Sequence, residues 1–385
     1  MKTKAFKICL ILSLLLLLIL PVGGEEAESN AAGWETAPSE YADWLGSIPQ
    51  AIRDLLPASA GSASTSDIGS AAQEMSSFSY FLNTLLSLIG ADLSGAGKTL
   101  ALLCGLLLLS SVCSAFRSAF SNERIGQAFS TVSALVITVS IIAEGYVCVE
   151  AITSYFEGLN NATVTLIPLT AVLYTMGGNV TAAISTPSVL SLFLTVFEQL
   201  IGNSIVPFCG ILMAFSLMRA IDPSIRTGTI SDTIKKNYTT FLAFLMMLLI
   251  TMLTTQTYLS NAKDTLAMKS AKFAIGNLIP VVGGSVSDLL RTVGTGVSYL
   301  RGSIGVCAVL ILLLTLFPTI IKLLLIRLVW QIAAALADLL GCDREKKLLD
   351  DMTSLNGYLI AAAAICSSVV FLALTLLIHS STVMG

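Results

Sequence analysis

Six stretches of this chain run for roughly 20 residues or more with almost no charge: 98 to 116, 128 to 150, 189 to 218, 238 to 259, 303 to 328 and 356 to 378. A helix rises about 1.5 Å per residue and the hydrocarbon core of a bilayer is about 30 Å thick, so runs of this length match what a helix needs to cross it. In lipid every backbone N–H and C=O must be paired inside the segment, and for single runs that leaves the α-helix. The composition agrees, since the chain is 55% hydrophobic and 12% charged with a mean hydropathy of +0.85, against about a quarter charged in ordinary soluble domains. The reading is an all-α polytopic membrane protein with about six transmembrane helices.

The first 24 residues have the layout of a secretory signal peptide: Lys2, Lys4 and Lys7, the apolar run ICLILSLLLLLIL, then Pro21 and small residues. Residues 25 to 97 are then expected outside the cytoplasm, as an acidic region with ten carboxylates and one cation, Arg53, between Glu25 and Asp92. Such a balance disfavours nucleic acid as a partner. Within it Tyr41, Trp44, Leu45, Ile48, Ile52, Leu55 and Leu56 recur at helical spacing, with Pro49 expected to kink the helix. That amphipathic element needs a partner or the membrane surface. The segment ASAGSASTSDIGSAA from Ala58 reads as a flexible linker, and a second helix is expected from about 68 to 89.

No enzyme signature is present. The chain has one histidine, His379, and neither an HExxH nor a GxSxG pattern. GAGKT at Gly95 to Thr99 resembles the end of a phosphate-binding loop, but Asp92 stands where the first glycine of that loop belongs. The eight cysteines form no CxxC pair and lie mostly in apolar runs, as small packing residues. No catalytic residue, cofactor or metal is assigned.

Basic residues set the expected orientation. Arg117 and Arg124, then Arg219, Arg226, Lys235 and Lys236, then Arg344, Lys346 and Lys347 mark three loops that the positive-inside rule places in the cytoplasm. The first two can share a side only if an even number of crossings separates them. The Pro- and Gly-broken stretch at 162 to 186 is therefore expected to dip in and return, as is a similar stretch at 271 to 300. The segment from Trp330 to Leu349, with Ile332, Ala335, Leu336, Leu339 and Leu340 as its apolar side, reads as a helix lying on the cytoplasmic membrane face or docking a cytoplasmic protein.

The two halves carry matching landmarks. LIP ends at Pro168 and again at Pro280; the pairs Gly177–Gly178 and Gly283–Gly284 come next; and Pro207 and Pro318 lie in the succeeding spans at an offset of 111 residues. This suggests an internal repeat of about 111 residues, comprising membrane repeat 1 (128 to 237) and membrane repeat 2 (238 to 355), preceded by a first span with its loop (98 to 127) and followed by a last span and tail (356 to 385). Interrupted elements at matching places in two halves point to a transporter-like cavity. The same glycines also suit close helix packing, and the sequence leaves both open. Glu198, inside the 189 to 218 span, joins these positions as a candidate, because a carboxylate there faces a cavity or partner, is protonated, or breaks the span.

KFAIGNLIPVVGGSVSDLLRTVG from Lys272 to Gly294, with RGSIGVCAVLILLLTLFPTIIKLLLIRLVWQIAAAL from Arg301, resembles the C-terminal half of the stage III sporulation protein AE family of endospore-forming Firmicutes. LIPLTAVLYTMGGNVTAAISTPSVL from Leu166 resembles that family's other recurrent motif, and the likeness covers roughly 98 to 378. The resemblance implies the integral membrane component of a channel between mother cell and forespore, assembled with an ATPase and ring-forming proteins of the stage III sporulation A operon. It would meet stage II sporulation protein Q indirectly, sit in the mother-cell membrane around the forespore, and support late forespore gene expression. The resemblance assigns no residue an activity. A stand-alone secondary transporter and a scaffold for the ring proteins are the alternatives.

Overall fold

The computed structural model describes residues 36–117, 123–176, 180–221, 228–245 with a few positions just beyond, and 283–382. The leader and the stretch 256–282, with Pro280, lie outside the described residues. Among those described there is no strand, only an isolated antiparallel bridge between Thr36 and Ser64.

The outer region forms a small helical cap. Helix α1 (Ser39–Ser47) and α2 (Gln50–Arg53) are separated at Ile48–Pro49, the expected kink. A single 3-10 turn (Ala58–Gly61) and α3 (Thr65–Ser76) come next. The predicted stripe is buried at Tyr41, Trp44, Ile48 and Ile52. Its partner is the bundle, through the two longest helices, α5 (Glu123–Met176) and α8 (Gly283–Leu339). The linker reading is corrected here: Ala60, Ile68 and Ala71 are fully buried, because small side chains let the backbone approach the helix beneath. The second outer helix also differs from expectation, since Ser77 adopts an extended conformation and separates α3 from the helix that begins at Phe78.

Three more long helices complete the bundle with α5 and α8: α4 (Phe78–Arg117), α6 (Val180–Ile221) and α9 (Asp343–Thr382). A shorter one, α7, spans 228–245. At 54 and 57 residues, α5 and α8 are each about 80 Å or more long, far beyond the roughly 30 Å of hydrocarbon. Among the described residues, four helices contain stretches long and apolar enough to cross a membrane: Phe78–Val112, Leu135–Leu173, Gln199–Arg219 and Gly302–Leu339.

The described parts of the two broken elements belong to long helices. Residues 162 to 176 continue α5 straight through Pro168, and α8 starts at Gly283 and passes without interruption into the 303 to 328 stretch. Helices α5 and α6 pack along one another as an antiparallel pair. The end of α5 at Met176 and the start of α6 at Val180 therefore lie at the same end of the bundle, joined by full helices in place of the expected short dip.

Residues Trp330 to Leu349 do not form one surface helix. The turn closing α8 has Gly341 at φ 70°, with Gly341 N–H donating to Asp338 O at 3.2 Å and Cys342 N–H to Ala337 O at 2.8 Å. This is a Schellman closure, which needs a left-handed residue that glycine adopts without strain. Of the expected apolar side, Leu339 is 84% and Ile332 44% exposed, while Trp330, Ala333 and Ala337 on the opposite side are fully buried in the bundle.

Candidate functional site

A polar band lies inside the bundle where α4, α5, α6, α8 and α9 converge. At its lower edge Arg219 of α6 pairs with Asp351 of α9 at 2.7 Å, both side chains mostly buried. Ser110 of α4 donates to Glu345 Oε1 at 3.0 Å, and the carboxylate is buried at the first turn of α9, where the helix dipole favours negative charge. Higher up, Thr99 of α4 donates to Glu144 of α5 at 3.4 Å.

At the centre is Asn356 of α9, fully buried. Its amide donates to Leu323 O of α8 at 3.0 Å and reaches the Cys148 sulfur of α5 at 3.9 Å. The Cys148 thiol also lies within the electrostatic reach of Glu144 and Lys322. One residue on, Gly357 accommodates Arg327: a Cβ there would lie 2.8 Å from the guanidinium Nη1. Gly145 similarly accepts Met213, whose Cε would sit 2.6 Å from an added Cβ. An aromatic group closes the α6 side, with Phe208 stacked on Tyr238 at 3.9 Å between ring centroids and edge-on to Tyr358 at 6.1 Å.

The positions singled out in the sequence are not gathered in this band. Pro168 lies on an exposed face of α5 and Pro207 on an exposed face of α6, while Pro318 is half-buried in α8. A proline cannot donate to the carbonyl four residues back, and in each case the helix continues past it. Gly177, Gly178 and Pro280 lie outside the described residues. Gly283 and Gly284 open α8. Glu198 belongs to α6, but its side chain is not among those described.

Sequence reasoning missed Lys322, Arg327, Thr353 and Asn356. The signal for the first two was visible, because two cations five residues apart inside LFPTIIKLLLIRLVWQI are costly in hydrocarbon. Thr353 and Asn356 carried none, since a neutral polar residue in an apolar run stands out only once its neighbours are known. The GAGKT segment lies within α4, so it forms no phosphate-binding loop.

Comparison with known proteins gives a consistent result. A family model described as Stage III sporulation protein AE matches residues 65–381. The Stage III sporulation protein AE of Bacillus subtilis (strain 168) is 26% identical over 300 residues, which cover 77% of this chain and 75% of that protein. No solved structure matches.

Proposed function

Because the chain belongs to the stage III sporulation protein AE family, we propose that it is the integral membrane subunit of a multiprotein channel joining mother cell and forespore. The observation that carries this reading is the extent of the match, which takes in α3 and the whole helical bundle as one unit. On this reading it lies in the mother-cell membrane around the forespore, with the acidic cap in the intermembrane space. The turns carrying Arg117, Arg219 and Arg344 face the mother-cell cytoplasm, where positive charge is retained. The ATPase of the same operon would meet that end, and the ring-forming proteins, with stage II sporulation protein Q beyond them, would meet the cap. The subunit is non-enzymatic and crosses the membrane about six times. The 111-residue repeat accounts for the glycine pairs that precede or open two Pro-containing helices, α6 and α8.

Deletion of the gene tests this reading. The expected result is normal vegetative growth with forespores that shrink after engulfment and leave a late forespore reporter silent. A growth defect with normal forespores would overturn it. Substitution of Glu198 or of the glycine pairs separates conduction from scaffolding: conduction predicts lost function in an assembled complex, and scaffolding predicts that assembly fails as well.

A further inference from the structure

Three buried polar atoms on the seam between α8 and α9 have no hydrogen-bond partner among the described residues: Nε1 of Trp330, Oγ1 of Thr353 and Oδ1 of Asn356. Trp330 and Asn356 are fully buried and Thr353 is 8% exposed. They share about two turns of the antiparallel pair, since Asn356 donates to Leu323 O and Arg327 lies over Gly357. A buried donor or acceptor without a hydrogen bond costs about 1–3 kcal/mol, and native proteins leave very few. The three needs differ. The indole N–H requires an acceptor, the amide oxygen a donor, and the hydroxyl takes either. Water meets all three, whereas a cation or an apolar group meets at most part of them.

The same seam carries excess positive charge. Lys322 and Arg327 are half-buried, and among the described residues neither has a carboxylate within ion-pair distance. Glu144 and Lys322 both lie within electrostatic reach of Cys148, and Arg219 is already matched by Asp351. Two cations against one carboxylate leave a positive potential where low-dielectric walls focus it.

We propose that this seam is a water-filled cleft that draws small inorganic anions into the bundle, with Lys322 and Arg327 at its mouth and Trp330, Thr353 and Asn356 lining its inner part. The inference deepens the channel reading by giving the subunit an ion class, and it is tested on the purified chain, independently of sporulation. The full-length protein is reconstituted in phosphatidylcholine vesicles, and the Trp330 fluorescence is isolated as the difference between the parent and Trp330→Phe. Iodide, caesium and acrylamide serve as quenchers.

The expected component is red-shifted, as for a hydrated indole, and its iodide-to-caesium quenching ratio is about threefold or more above that of free N-acetyltryptophanamide under the same conditions. Arg327→Gln should remove that preference and leave acrylamide quenching unchanged. Asn356→Leu, which removes a water-holding group, should shift the emission to the blue and reduce iodide access while helical content is retained. It also serves where Trp330→Phe does not fold. A blue emission untouched by iodide would show a dry seam, an iodide-to-caesium ratio no higher than that of free N-acetyltryptophanamide would show no anion preference, and either overturns the proposal. Normal forespores in the deletion strain with iodide-selective quenching would sink the channel reading and leave the cleft standing, and the reverse pattern would do the opposite.

Discussion

Trp44 illustrates how one side chain ties the cap to the bundle. Its ring is fully buried, and its Nε1 donates to Ala162 O of α5 at 3.0 Å, while Ser47 one turn later meets the Thr165 hydroxyl at 2.7 Å. Beside it Tyr41 donates to Ala60 O at 2.8 Å, and burial holds its phenol far above the usual tyrosine range. Trp44→Ala should destabilise the docked cap by about 3 kcal/mol or more. Limited proteolysis would then cut between 39 and 76 in the variant while sparing the parent; equal resistance would show that the tryptophan is not the anchor. Asp350 makes the opposite case: its side chain is exposed at the surface of α9, and partial desolvation, with Asp351 and Asp338 nearby, raises its pKa against the pull of Lys346. A carboxyl with a folded pKa above its unfolded value binds more protons when folded, so its ionisation lowers stability as pH rises through that window. Asp350→Asn should therefore raise the melting temperature at neutral pH and flatten its fall with rising pH, as thermal scans from pH 3 to 8 would reveal.

At the scale of elements, α8 shows how a helix in a membrane-type bundle divides its faces. In water the large apolar side of a helix turns inward, but in lipid the driving force is lost, because acyl chains are as apolar as leucine. Small residues can then share the packed side with large ones: Ala333 and Ala337 are fully buried beside Trp330 and Leu323, and Leu328, Ile332 and Leu339 point out. Ala337→Leu should accordingly cost about 1–3 kcal/mol by overpacking, whereas Leu339→Ala should be near neutral. Thermal unfolding in vesicles would compare the two, and the reverse order would mean that the outward stripe is covered. The prolines misled for a reason of their own. Helix continuation past a proline depends on neighbouring groups to satisfy the freed carbonyl, and a linear sequence does not identify those neighbours.

For the whole molecule, the antiparallel order collects the C-terminal ends of α4, α6 and α8 at one end and puts the cap, with the end of α5 and the start of α6, at the other. The contacts that fix this are specific: Ser110 with Glu345, Arg219 with Asp351, and Trp44 with Ala162. Reporter fusions within 118–122, within 222–227 and at Gly341 should all report the cytoplasmic side, and a fusion within 177–179 the opposite side. One discordant fusion among the first three would break the arrangement.

Charge-free length alone determined that the chain is helical and bound for lipid, because no other backbone arrangement pairs its own polar groups within a single run. The basic loops determined which ends belong together, and Tyr41, Trp44, Ile48 and Ile52 marked the cap's buried face in advance. Tertiary structure decided what touches what. It joined the outer region to α5 and α8, carried α5 through Pro168, turned the alanines of α8 inward, and set Arg327 and Asn356 on one seam. These outcomes depend on which neighbour fills each space and pairs each polar atom, and those neighbours lie 30 to more than 200 residues away in the chain.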